Sequence, residues 1–170
     1  MAAAPFIVRE AALDDPVDAR AVVDLVDGYA REAMHGGRPL PGDVRRALVP
    51  GLASHPTGFV LLAWQGDEPV GIAVCFRGFS TWSARPLLNL HDLAVVPSRR
   101  RAGIGRRLLA AVEERARALG CCRITLEVRG DNRVAQGLYR SVGFVGGAGA
   151  PGEALGGRPE QTFFWEKPLP

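Results

Sequence analysis

Long apolar runs are missing from this chain: no stretch of its 170 residues approaches the ~20 apolar positions that a membrane-spanning helix needs. No membrane partner is therefore expected. The opening Met1-Ala2-Ala3-Ala4-Pro5 lacks a basic region and a long apolar stretch, which predicts no signal peptide and a cytoplasmic protein. Cysteine is scarce: three residues, Cys75, Cys121 and Cys122, an odd number without metal-ligand spacing, so free thiols in a reducing cytosol are expected. The neighbours Cys121 and Cys122 suit either a redox pair or small residues entering a buried strand. No His/Cys/Asp cluster has the spacing of a metal site, and no Gly-x-Ser-x-Gly motif or Cys/His pairing suggests a covalent acyl-enzyme. A GxxxxGK[ST] phosphate loop is absent, and Gly103-Ile104-Gly105 lacks the third glycine of the dinucleotide fingerprint.

What the chain does have is ordinary for a globular protein, with 47% hydrophobic and 23% charged residues. Its length predicts a single domain over residues 1–170 with a sizeable core. The net charge of +3 is concentrated rather than spread. Residues 99–107 hold five of the 21 basic residues and no acidic one, leaving 16 basic against 18 acidic elsewhere. A nucleic-acid binder needs a broader basic surface with interleaved aromatics, and these five arginines have no aromatic among them, so no nucleic-acid partner is expected.

Strand and helix signals alternate. Ile7–Ala11 reads as a short strand, and Asp14-Asp15-Pro16 starts a helix whose Val22, Val23, Val26 and Tyr29 share a side to about Met34. Gly36-Gly37 breaks the chain before a helix over about 43–53. Gly58–Trp64 and Val70–Phe76 read as a hairpin turning through Gln65–Pro69. Leu87–Val96 reads as the central strand, followed by a helix with Leu108, Leu109, Val112, Ala116 and Leu119 at helical spacing, stopped by Gly120. Arg123–Val128 is a strand parallel to the central one, and Asp131-Asn132 caps a helix to about Ser141. Phe144-Val145 and Thr162–Glu166 complete the sheet, and the six glycines of Gly146–Pro159 read as a mobile surface loop.

The most informative segment is Arg99-Arg100-Arg101-Ala102-Gly103-Ile104-Gly105-Arg106-Arg107, which links the central strand to a helix start. Glycines allow close backbone approach, first-turn N–H groups and the helix dipole favour an anion, and arginines add charge-assisted bonds. A solvated basic helix start is the other reading, but cations there oppose the dipole.

Arg100-Arg101-Ala102-Gly103-Ile104-Gly105 resembles the Arg/Gln-x-x-Gly-x-Gly/Ala pattern of the GCN5-related N-acetyltransferase (GNAT) family. A second block, Asn132-Arg133-Val134-Ala135, then Leu138-Tyr139 and Gly143-Phe144, follows in family order and spacing. The resemblance covers residues 6–167 and implies a mixed, mostly antiparallel seven-stranded sheet. About four helices flank that sheet, which is splayed between its two central parallel strands. It implies acetyl-CoA as donor substrate, no metal, and a homodimer. Arg100, Arg101, Ala102, Gly103, Ile104, Gly105 and Arg106 would hold the diphosphate. Arg99 departs from a frequent aromatic and Arg101 from a frequent glycine; a positive φ at Arg101 would strain that residue. By resemblance, the backbones of Leu93, Ala94 and Val95 would pair with the pantetheine arm, although the sequence alone also reads them as core. Tyr139 would protonate the leaving thiolate, where a tyrosine on such a helix otherwise simply packs. Asn132 would cap its helix, bond coenzyme A, or both, and Ala135 would leave room for it.

His91 and Asp92 are the base candidates, because an ammonium must lose a proton before it attacks. Strand alternation puts Asn89, His91, Leu93 and Val95 on one face and Leu88, Leu90, Asp92 and Ala94 on the other. The approach Phe79-Ser80-Thr81-Trp82 and Leu90-His91-Asp92-Leu93 is similar to the spermidine/spermine (diamine) acetyltransferase branch, which has a glutamate at the position of His91. His91 is the favoured base with Asp92 orienting; a hydrogen-bonded strand histidine, with water taking the proton, is the other reading. Asp24, Asp27 and Glu32 would suit an acidic pocket for a polycation or a solvated helix face. A small polyamine- or diamine-like amine is the expected acceptor. A protein α-amine or lysine, an aminoglycoside, and a non-catalytic acyl-CoA sensor stay open.

Overall fold

The computed structural model describes residues 5–146 and 161–170. In chain order the elements are β1 (Ile7–Glu10), α1 (Pro16–Ala30), α2 (Gly42–Ser54), β2 (Gly58–Gln65), β3 (Glu68–Ser80) and β4 (Arg85–Val95). They continue with α3 (Ile104–Ala118), β5 (Arg123–Arg129), α4 (Arg133–Ser141), β6 (Val145–Gly146) and β7 (Thr162–Pro168). Short 3-10 turns at Ala33–His35 and Pro97–Arg99 add to these. The strands form one seven-stranded sheet in the order β1-β2-β3-β4-β5-β7-β6, mostly antiparallel with one parallel pair. This is the expected mixed α/β architecture, with four helices among the described residues.

The chain divides into two compact units, the first made of residues 1–75 and 92–112 and the second of residues 76–91 and 113–170. In the first unit, β1 pairs antiparallel with β2 from Ile7 opposite Trp64 to Glu10 opposite Leu61. Asp15 caps α1 by accepting from the Val17 N–H at 2.7 Å, with Pro16 in the first turn, where its missing N–H is no loss. The buried residues of α1 are Asp18, Ala21, Val22, Leu25 and Asp27; of the side expected from Val22, Val23, Val26 and Tyr29, Val22 is buried and the other three are half-buried. Asp18 can be buried there because Arg9 donates to both of its carboxylate oxygens at 2.6 and 2.7 Å, which also holds that carboxyl below its ordinary range. The helix ends at Ala30, short of the expected Met34. Gly36 and Gly37 then take positive φ values of 112° and 66°, closing the turn before α2.

Glycine has a packing role at Gly71. A Cβ built there would meet Leu108 Cδ1 at 3.0 Å, and the Ala94 carbonyl oxygen and Ile104 Cγ2 at 3.1 Å. Only a bare backbone lets β3 lie this close to the first two turns of α3 and the end of β4. Ile104, Leu108 and Val112 are fully buried in the same unit.

In the second unit, β4 and β5 pair in parallel from Leu88 opposite Ile124 to Leu90 opposite Leu126, and both strands run on, β4 to Val95 and β5 to Arg129. The Asn89 amide donates to the buried Thr125 hydroxyl across this pair at 3.3 Å. β7 runs antiparallel to the whole of β5, from Arg123 opposite Pro168 to Arg129 opposite Thr162. Lys167 on β7 donates to Glu113 at 2.6 Å. The core here is Leu88, Leu90, Ile124, Leu126, Val128, Tyr139, Phe144 and Trp165. Cys121 is buried and Cys122 half-buried just before β5, and all three cysteines are free thiols, which fits the strand-entry reading of the pair. Of the loop expected over Gly146–Pro159, Gly146 belongs to β6; the rest lies outside the described residues.

Candidate active site

Within the first unit, β4 delivers Asp92, Leu93, Ala94 and Val95 to a tight turn. The Arg99 N–H donates to the Val96 carbonyl at 2.9 Å, and the Val96 N–H to the Val70 carbonyl at 3.0 Å. Arg101 takes φ +65°, the left-handed conformation that side chains rarely adopt, as anticipated from its place where glycine is frequent. Gly103 follows at φ +84°. The first bond of α3 runs from the Arg107 N–H to the Gly103 carbonyl at 3.0 Å, so the amides of the first turn precede the helix's own ladder. Ala102, Gly103, Arg101 and Arg106 are exposed, Gly105 is half-buried, and Ile104 is buried, anchoring the turn. The turn thus offers exposed guanidinium groups, bare amides and a helix dipole of one sign, the requirements for an anion.

The arginines are not equally available. Arg99 donates to Glu68 at 2.8 Å. Arg100 donates through Nε to the Val95 carbonyl at 3.0 Å and through Nη2 to Glu32. The Glu32 contact escaped the sequence reading, since 68 residues separate the partners and nothing local signals it. Ala94 is buried, and Asp92, Leu93 and Val95 are half-buried, which leaves both the core and the backbone-pairing readings of this segment in place.

Asp92 belongs to the inward alternation of β4, with Leu88, Leu90 and Ala94, while His91 is exposed. Tyr29, read from the sequence only as part of the apolar side of α1, is half-buried. Burial pushes its phenol up to about 12, helped by the negative charges of Asp92 and Glu32 and opposed by Arg100. The His35 ring packs against it at a tilt of 42°, with ring centroids 3.9 Å apart. Asp27, a candidate for an acidic pocket or a solvated face, is neither. It is 6% exposed and takes bonds from Arg31, Arg45 and the Leu40 N–H, each at 2.8 Å. Asp24 is the one exposed member of that trio, bridging to Arg20 and Arg45.

Within the second unit, His91 meets the Phe76 ring edge-on at 5.5 Å. Asn132 caps α4 by accepting from the Ala135 N–H at 3.1 Å, so the capping role is established. Gln136, 2% exposed, donates to the Arg129 and Gly130 carbonyls at 2.8 and 3.1 Å and fixes the start of α4 against the end of β5. It was missed because a glutamine in an apolar position carries no chemical signature of its own. Tyr139 is buried at 7% exposure one turn on, its ring centroid 5.7 Å from that of Phe144. Among the described residues, no group of His, Cys, Asp and Glu could hold a metal ion, and no helix is long and apolar enough to cross a membrane.

Residues 24–144 match the acetyltransferase (GNAT) family pattern. The chain belongs to that family. It is an acetyl-CoA-dependent N-acetyltransferase. It is 32% identical to the N-acetyltransferase YhfO of Bacillus subtilis, over 75% of this chain and 83% of that one. It is 35% identical to a thialysine N-epsilon-acetyltransferase of Caenorhabditis elegans, over 52% of this chain and about half (53%) of that protein. In fold it resembles a chain of the NatC complex bound to Gag peptide and CoA, with a TM-score of 0.70 at 19% identity, covering 97% of this chain and 99% of the other.

Proposed function

We propose that this GNAT protein transfers acetyl from acetyl-CoA directly to the amine of a small polyamine- or diamine-like molecule, in a ternary complex. The reading rests on one observation above all: an arginine-rich turn with two successive departures into positive φ, at Arg101 and Gly103, immediately before α3. Arg100, Arg101 and Arg106, with the backbone from Ala102 through Gly103 and Ile104 to Gly105, hold the diphosphate. The backbones of Leu93, Ala94 and Val95 pair with the pantetheine amides, and a backbone N–H there polarises the thioester carbonyl. Asn132 and Ala135 border the coenzyme.

His91, directly or through water, takes the proton of the ammonium, with Asp92 orienting it. The amine nitrogen then attacks the thioester carbon, and the C–S bond breaks. Tyr139 gives its phenolic proton to the departing thiolate, and the proton that the acylated nitrogen loses as the amide forms returns, through solvent, to restore the phenol. Residues 1–170 act as a single domain of a cytoplasmic homodimer in this reading. A small cationic acceptor is supported by the thialysine acetyltransferase among the relatives, whose named substrate carries a side-chain amine.

The deciding experiment is an amine panel with acetyl-CoA, read by thiol release and by mass spectrometry of the product. Acetylated small amines with stoichiometric free coenzyme A support the proposal. Thiol release only with peptide amines, or none, overturns it.

A further inference from the structure

Glu32 is where the diphosphate reading meets an unexpected neighbour. It follows α1, and its carbonyl accepts from the His35 and Gly37 N–H groups at 2.8 and 3.0 Å, so its backbone is fixed by the turn it caps. Its half-buried carboxylate takes a hydrogen bond from Arg100, whose Nε is already committed to the Val95 carbonyl. The guanidinium is therefore aimed by two acceptors, one neutral and fixed in β4, the other anionic and on a side chain. A diphosphate at the same guanidinium would sit beside that carboxylate, and like charges at such separation repel. A half-exposed ion pair contributes little net stability, so it yields readily to a doubly charged competitor.

The surroundings decide what release of Glu32 would do. The half-buried Tyr29 phenol feels Asp92 and Glu32 in one sense and Arg100 in the other. Neutralising Arg100 with phosphate oxygens leaves two carboxylates around that phenol without their nearby positive counterpart.

We propose that Glu32 is an internal stand-in for the donor's diphosphate: it occupies Arg100 until acetyl-CoA displaces it, and then adds to Asp92 in attracting a cationic acceptor. The inference rests on the assignment of Arg100 to the diphosphate. It makes donor binding precede acceptor binding, and it makes Glu32 a residue that weakens donor affinity while strengthening acceptor affinity.

The test is calorimetric titration of coenzyme A into wild type, Glu32→Gln, Arg100→Ala and the double variant, each checked for an unchanged melting transition. Glu32→Gln is expected to tighten coenzyme A about 3- to 10-fold, and Arg100→Ala to weaken it about 10-fold. In the Arg100→Ala background, Glu32→Gln should have no further effect, since the competition needs both partners. Spermidine is then titrated with and without saturating coenzyme A. Wild type should bind it at least 5-fold more tightly with coenzyme A present, and Glu32→Gln should lose that gain. If Arg100→Ala leaves coenzyme A affinity unchanged, the diphosphate assignment itself fails. If Arg100→Ala weakens binding but Glu32→Gln does not tighten it, only the stand-in role is overturned. Absence of spermidine binding, or equal binding in both conditions, overturns the acceptor half.

Discussion

The Leu40 N–H donates to Oδ1 of Asp27 at 2.8 Å, tying the segment after α1 back to the helix across thirteen residues. With Arg31 and Arg45 on the other oxygen, the carboxyl is held at about 2 instead of its ordinary 3.8, chiefly by the Arg31 hydrogen bond. The folded value is the lower one, so this carboxylate contributes stability in full above 3.8 and loses it as pH falls through about 2. Asp27→Asn should lower stability at pH 7 by about 2 kcal/mol, the worth of hydrogen bonds to a charged group. Melting curves from pH 7 to pH 2 check this: wild type should lose part of its margin at the acid end that the variant lacks throughout.

Arg101 is strained at φ +65°, and glycine relieves such strain without altering the path of the turn. Arg101→Gly should raise stability by about 1 kcal/mol, whereas Arg101→Ala should give no gain, because alanine meets the same Cβ clash. Denaturant titration of the two variants separates backbone strain from the removal of an exposed positive charge. A gain of equal size in both would assign the effect to charge.

Gly71 leaves no room for a methyl group, with the Ala94 carbonyl oxygen 3.1 Å from where it would stand and unable to swing aside as a side chain could. Gly71→Ala should therefore destabilise by about 1–3 kcal/mol, as overpacking does. Because Ile104 is one of the atoms pressed, the turn before α3 shifts with it, and coenzyme A affinity should fall several-fold. Chemical denaturation and calorimetry on the same preparation test both parts.

Much of this was legible in the chain, and the reasons differ by element. Asp15-Pro16 and Asn132 mark their helices through local capping chemistry, which needs no tertiary information. The Arg101 strain was readable because a bulky residue stands where the family pattern often has glycine. The central strand and α3 were readable because their periodicities differ cleanly. The ends of α1 and β3 were not. Met34 extends the apolar pattern beyond Ala30, but the chain tightens into a 3-10 turn closed by His35 and Gly37 N–H bonds to Glu32. β3 continues through Arg77, Gly78 and Phe79 to Ser80 although its alternation fades, because the hairpin with β4 carries it on; the Ser80 hydroxyl accepts from Arg123 at 2.7 Å. Partners of Asp27, Glu32 and Gln136 depend on contacts across the fold or on backbone carbonyls, and side-chain type alone assigns neither.

His91 is exposed on the outward alternation of β4, with Phe76 against its edge, so a small molecule can reach the position when the ring is removed. His91→Ala should lower kcat about 10²-fold if the imidazole handles the amine proton, and added imidazole should restore part of it. Asp92→Asn should reduce the rate less and show no rescue. Rates with and without imidazole in both variants measure this; an unchanged rate in His91→Ala would leave proton removal to water.

Tyr139 is buried against Phe144 on α4, whose start is fixed by the Asn132 cap and by Gln136 on the Arg129 and Gly130 carbonyls. Tyr139→Phe removes one oxygen and keeps the ring, so packing and coenzyme A affinity should stay within about twofold of wild type. The loss belongs to the step in which sulfur leaves: without a proton donor, kcat should fall about 10²- to 10³-fold with the acceptor KM little changed. A donor whose leaving thiol is more acidic needs less protonation, so the deficit should shrink with an acetyl thioester of an aryl thiol. Steady-state rates with both donors distinguish an acid from a packing residue, because a purely structural tyrosine would slow both donors alike.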